Sequence, residues 1–153
     1  MVRGVSPDMA LFKFTKAMLE GKSINVYNYR KMKRDFTYID DIVEALVRVQ
    51  DVTPQANADW TVESGSPAIS SAPYRIYNIG NSSPVELMDY ITALEEALGM
   101  EAQKNMMPIQ PGGVLDTSAD TQPLYDLVGF KPQTSVKEGV KNFVEWYKDY
   151  YQI

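Results

Sequence analysis

Arg34 is the residue whose chemistry is most legible. It ends the basic run Arg30-Lys31-Met32-Lys33-Arg34 and opens an alternating stretch, and a planar guanidinium placed there can fork onto two phosphate oxygens. The same arginine can instead form a surface salt bridge with Asp35, Asp40 or Asp41, and the residues alone leave both readings open. Asp40 and Asp41 are immediate neighbours, not a separated acid and base, so helix capping suits them better than catalysis. Tyr27 and Tyr29, just before the basic run, can stack on a nucleobase or fill the core or its rim. Ser82 and Ser83 follow Gly80 at a place where an anion could meet a helix start, though capping explains them without a ligand. Gln110-Pro111-Gly112-Gly113 is either a ligand-lining loop or a turn.

Other chemistry is excluded by composition. Among the 153 residues there is no cysteine and no histidine, so disulfides, thiolate or imidazole metal ligands and histidine catalysis are ruled out. No Gly-x-Gly-x-x-Gly or Walker loop occurs, leaving a dinucleotide pyrophosphate without its usual glycine turn. Two Tyr-x-x-x-Lys spacings, Tyr27 with Lys31 and Tyr29 with Lys33, fall between strands. That pair shares a face only on a helix, so both are read as chance, and no catalytic residue is assigned. The net charge of −5 argues against a general nucleic-acid binder. No apolar run approaches a membrane span and no signal-peptide layout is present, so a cytoplasmic, membrane-free protein is expected.

The elements that must hold these residues alternate between helix and strand, which indicates an α/β chain. Ser6, Pro7 and Asp8 form a helix start, with Met9, Phe12 and Leu19 on an apolar stripe and Gly21 ending it. Residues 24–29 and 34–39 alternate as short strands. Asp40 or Asp41 caps a helix over 42–50 whose inward stripe is Ile42, Ala45, Leu46 and Val49. Residues 51–73 are an irregular loop. A strand over 74–80 precedes a helix capped by Ser83, with Pro84 first and Glu86 in a capping box. A strand within 102–109, a short helix somewhere in 120–130 and a closing amphipathic helix follow, the last with Val136, Val140, Phe143, Val144 and Tyr147 inward. Residues 1–153 are read as one domain.

Taken in order, these segments resemble the C-terminal part of the extended short-chain dehydrogenases that modify nucleotide sugars. "INVYN…RKMKRDFTYIDDIVEAL" is similar to that family's strand, turn and Arg-Asp-Phe motif. "YRIYNIGNSSPVELMDYITALEEALG" is similar to its next strand-glycine-helix unit, and "ADTQPLYDLVGFKPQTSVKEGVKNFVEWYKDYY" to its closing signature. "PDMALFKFTKAMLEG" and a loop like "QPGG" bring it nearest the UDP-glucuronate 4-epimerase group. The resemblance implies an α/β substrate-binding portion with short strands and about five helices. It implies that Arg34 binds the diphosphate of a UDP-sugar, that Val26 and Tyr27 lie against the uridine, and that Gln110 lines the same pocket. The sequence departs from the family's pattern at Ser6, at Arg30, where a glycine is usual, and at Gly113.

In that family NAD is held by a Rossmann half upstream, together with the catalytic tyrosine and lysine. The resemblance therefore implies no cofactor and no metal in this chain, and no epimerase activity alone. The helix after Asp41 and the segment 74–80 complete the Rossmann sheet in the family. Their apolar faces are expected to be covered by self-association or by a separate Rossmann-domain chain. Half of a split epimerase and a non-catalytic binding or assembly module remain as alternatives.

Overall fold

The computed structural model describes residues 9–63 and 65–153. The expected cap at Ser6, Pro7 and Asp8 lies outside them. Five helices and four very short strands give an α/β chain. Helix α1 spans Ala10–Leu19, with Thr15 and Met18 buried, and Gly21 closes it at φ +68°. Met9, expected on the inner stripe, precedes the helix and is exposed.

Strand β1 is only Ile24–Val26, shorter than the expected 24–29. Asn28, Tyr29 and Arg30 adopt φ of 50°, 46° and 71°, left-handed values that end an extended strand. Residues Tyr27–Arg30 form a tight turn instead. Strand β2, Lys33–Arg34, replaces the expected strand 34–39, because after Arg34 no neighbouring strand offers a ladder. Helix α2, Ile39–Gln50, begins three residues earlier than predicted. Its N-cap is Tyr38, whose side chain makes no capping bond, and Asp40 and Asp41 sit inside the first turn. They favour the positive end of the helix dipole from there, and Asp41 Oδ2 also accepts the Thr134 amide at 3.0 Å.

Residues 51–73 are irregular, as expected. The expected strand 74–80 is absent: Arg75 makes a single bridge to Ile69, and Tyr74 and Ile76 stay exposed. Strand β3, Val85–Glu86, then runs directly into helix α3, Leu87–Leu98. Ser83 is therefore not its cap, since Val85 and Glu86 are drawn into pairing with β2 first. Strand β4 is Lys104–Met106, α4 is Gln122–Val128 and α5 is Val136–Tyr151. Ser135 caps α5, accepting the Glu138 amide at 3.2 Å.

Strands β1 and β4 pair in parallel, with Ile24 opposite Lys104 and Val26 opposite Met106. Strands β2 and β3 pair antiparallel, Lys33 opposite Glu86 and Arg34 opposite Val85. The core lies between α3 and α5 and under β1. Tyr90, Ile91, Leu94 and Leu98 face Val140, Phe143, Val144 and Tyr147, with Met18, Ile24 and Val26 closing one side. Each fully buried aliphatic side chain here contributes roughly 1.5–3 kcal/mol. Helix α2 stands outside this core. It buries only Ala45; Leu46, predicted to face inward, is 55% exposed, and Ile39, Val43 and Val47 are exposed beside it.

A half-buried ion pair ties α3 to β4. The Glu95 carboxylate accepts the Lys104 ammonium at 2.5 Å and the Ala102 amide at 2.8 Å. Burial opposes its charge, but these bonds outweigh burial and hold the carboxyl below its usual 4.5. A carboxyl lowered in the folded state stabilises fully above the unfolded value and loses that contribution as pH falls through the folded one. Denaturant midpoints are therefore expected to drop as the pH is taken below 4.5, and Glu95→Gln is expected to flatten that part of the profile.

Candidate functional site

Arg34 sits in β2 with its guanidinium on backbone carbonyls. Nη1 donates to Lys33 O at 2.7 Å and to Leu115 O at 2.8 Å, and Nη2 donates to Val114 O at 2.5 Å. It makes no salt bridge with Asp35, Asp40 or Asp41. Its charge is thus uncompensated by any carboxylate among the described residues. Nε–H and one N–H of Nη2 are left over from the five donors of a guanidinium.

Those three carbonyl bonds belong to a wider seam. The Lys33 amide donates to Leu115 O at 3.0 Å, Lys33 bridges Asp116 in parallel, and the Asp35 amide donates to Thr117 Oγ1 at 3.1 Å. Residues 114–117 therefore lie along 33–35 like a strand added at the edge. On the other side, the Asp35 carboxylate accepts the Ser82 amide at 3.0 Å and the Ser83 amide at 3.2 Å. Ser82 Oγ donates to Ala119 O at 2.8 Å and meets Thr121 Oγ1 at 2.7 Å. Gly80 lies at the centre of the seam: a Cβ there would come within 2.7 Å of Ala119 Cβ and 3.2 Å of Asp35 Oδ2. Only glycine fits without displacement.

The remaining expected residues lie along the same connection. Val26 is fully buried and its carbonyl accepts the Met107 amide at 2.8 Å, so its side chain serves the core. Tyr27 follows at the start of the tight turn, half-buried, and the Tyr29 amide donates to Met107 O at 3.1 Å. From Met107 the chain passes Gln110, whose carbonyl accepts the Gly113 amide at 2.9 Å, and reaches Val114 and Leu115 on Arg34. The segment 106–117 thus spans from Val26 and Tyr27 to Arg34, with the exposed Gln110 between them.

A cleft of about 410 Å³ lies elsewhere, lined by Phe36, Tyr38, Ile42, Asn142, Phe143 and Trp146 among others. None of Arg34, Val26, Tyr27 or Gln110 borders it, and its mainly apolar, uncharged walls do not suit a phosphate. The described residues hold no cluster of three or more carboxylates able to bind a metal. The loop from Asn78 to Glu86 does not fit a dinucleotide: it carries one glycine, Gly80, closed off by Ala119 and Asp35. Among the described residues, no helix is long and apolar enough to cross a membrane.

Sequence reasoning missed Asp35 as an organiser. Next to Arg34 it reads as an ion-pair partner, and nothing in its neighbourhood signals that it receives amides 47 and 48 residues away. Bonds to an ionised acceptor contribute about 1.5–3 kcal/mol each when shielded, less when exposed. Asp35→Ala is expected to lower unfolding free energy by about 2 kcal/mol. Asp35→Asn, which keeps one acceptor, should lose about half of that; urea denaturation distinguishes the two.

Comparison with known proteins matches residues 3–80, just over half of the chain, to the NAD dependent epimerase/dehydratase family. The chain is 74% identical over 147 residues to an uncharacterized 37.6 kDa protein of Escherichia coli O111:H-, covering 96% of this chain and 44% of that one. It is 46% identical to a probable UDP-glucuronate 4-epimerase of Rhizobium meliloti, covering 95% and 43%. The crystal structure of UDP-glucuronic acid 4-epimerase from Bacillus cereus, in complex with UDP-glucuronic acid and NAD, superposes with a TM-score of 0.75. That alignment has 27% identity and covers 95% of this chain and 41% of that one. The chain thus spans less than half the length of the curated relatives it matches.

Proposed function

The chain belongs to the NAD dependent epimerase/dehydratase family, and from that premise we propose that it is the UDP-sugar-binding portion of a nucleotide-sugar epimerase. One observation carries the reading. Arg34 is a guanidinium without a carboxylate partner among the described residues, held in place by three carbonyls, with two N–H groups not engaged there. An arginine kept charged and oriented, yet not neutralised, is arranged to receive an anion. The Bacillus cereus structure is a complex with UDP-glucuronic acid, which makes a nucleotide diphosphate the natural anion here.

In this reading Arg34 holds one phosphate of the diphosphate. Tyr27 and Gln110, at two points of the same connection, border the nucleotide, and Val26 contributes through its backbone. No group among the described residues serves as hydride acceptor or as a paired catalytic tyrosine and lysine, so this chain binds substrate without turning it over alone.

A second reading has its own support. The exposed apolar side chains Ile39, Val43, Leu46 and Val47 on α2 form a face that water solvates poorly. A separate Rossmann-domain chain, or a second copy of this one, would cover it, making the protein one half of a split, cytoplasmic epimerase or a homo-oligomer. Co-expression with a Rossmann-domain chain of the same family tests this through co-purification and recovered activity.

Calorimetric titration with UDP tests the main reading. Arg34→Ala is expected to weaken binding by about 1.5–3 kcal/mol, at least about tenfold in Kd. Undiminished binding by that variant would remove Arg34 from the site. The pure chain mixed with NAD and UDP-glucuronate is expected to form no UDP-galacturonate, and turnover would refute the binding-only role.

A further inference from the structure

Three consecutive residues other than glycine, Asn28, Tyr29 and Arg30, hold left-handed φ values of 50°, 46° and 71°. Asparagine tolerates that region; tyrosine and arginine are strained there. The turn is fixed by bonds that do not involve the Arg30 side chain. Asn28 Nδ2 donates to Lys31 O at 2.6 Å, the Lys31 amide to Asn28 O at 2.9 Å, the Met32 amide to Arg30 O at 3.0 Å, and the Tyr29 amide to Met107 O. Glycine would perform the backbone's task at position 30 without steric penalty. A strained residue whose side chain contributes nothing to the fold points to a role for that side chain.

The charges around it indicate the role. Arg30 and Lys31 are exposed and have no acidic partner among the described residues. Lys33 is paired with Glu86 at 3.1 Å, while Arg34 is bound only to carbonyls. Three of the four cations in this five-residue run therefore repel one another without a counter-ion. A polyanion relieves that repulsion. The two unspent N–H groups of Arg34 suffice for one phosphate, so a diphosphate leaves a second phosphate in need of a donor.

We propose that Arg30 is a second anion-binding residue, the ligand of the other phosphate of a nucleoside diphosphate, and that it makes the site selective for diphosphates over monophosphates. This rests on the UDP-sugar reading of Arg34. The strain at position 30 is then the structural cost of presenting a guanidinium from the turn between β1 and β2.

The test sets stability against binding in one variant. Arg30→Gly, in the full 153-residue chain, is expected to leave the thermal midpoint level or higher, because strain is removed. The same change is expected to weaken UDP binding by about tenfold while changing UMP binding by less than about threefold, and Arg30→Lys is expected to restore part of the UDP affinity through its charge. Unchanged UDP affinity in Arg30→Gly, or an equal loss for UDP and UMP, overturns the proposal. If Arg34→Ala abolishes UDP binding while Arg30→Gly retains it, only the role of Arg30 falls. If the unaltered chain takes up no UDP, the reading of Arg34 falls and this proposal with it.

Discussion

The dipeptide Arg34-Asp35 holds together segments that the chain keeps far apart. Arg34 reaches one way, to the carbonyls of Val114 and Leu115, and the Asp35 carboxylate reaches the other, to the amides of Ser82 and Ser83. Between them the Asp35 amide takes Thr117. Strand β2 has only two residues, too few to be stable through ladder bonds alone. Its place is secured because charged side chains supply the bonds that a longer sheet would have supplied. The residue proposed to meet a phosphate is thus also a structural anchor, and its guanidinium is divided between the two tasks.

Division of a guanidinium in this way has a physical logic. Neutral carbonyls orient the group without cancelling its charge, whereas a carboxylate would orient it and cancel it. Two carboxylates close in sequence are occupied by amides, Asp35 by Ser82 and Ser83 and Asp41 by Thr134. Those two acids are thereby engaged away from Arg34. Although Lys33 pairs with Glu86, Arg30, Lys31 and Arg34 have no ion-pair partner among the described residues and keep a positive potential.

The hydrophobic organisation is uneven. The interface of α3 with α5 and β1 is a packed core of aromatic and branched side chains. Phe36 stacks on Tyr90 at 4.4 Å between centroids, joining the segment after Arg34 to that core. Helix α2 instead carries apolar residues on two faces, and only the face bearing Ala45 is covered. The segment near Tyr74 and Ile76 is in the same condition. Both read as ordinary buried elements from their patterning, which records apolar periodicity but not whether a partner surface is present.

Local signals were decisive where the physics is local. The apolar periods of α3 and α5 and the α/β class follow from neighbouring residues, and the ordered motifs were enough to indicate the family. The strand boundaries were not legible, because a strand exists only where another backbone meets it. Residues 35–38 and 74–80 alternate correctly and remain unpaired or nearly so. Capping at Asp40 and Asp41 fails because α2 already starts at Ile39, and at Ser83 because Val85 and Glu86 pair with β2 before α3 begins. Arg34 was visible in the sequence as a candidate with two fates, salt bridge or phosphate ligand. Tertiary structure alone brought in the carbonyls of Val114 and Leu115, about eighty residues away, and engaged Asp35 elsewhere, because only folding sets which acceptors lie within bonding distance of a given donor.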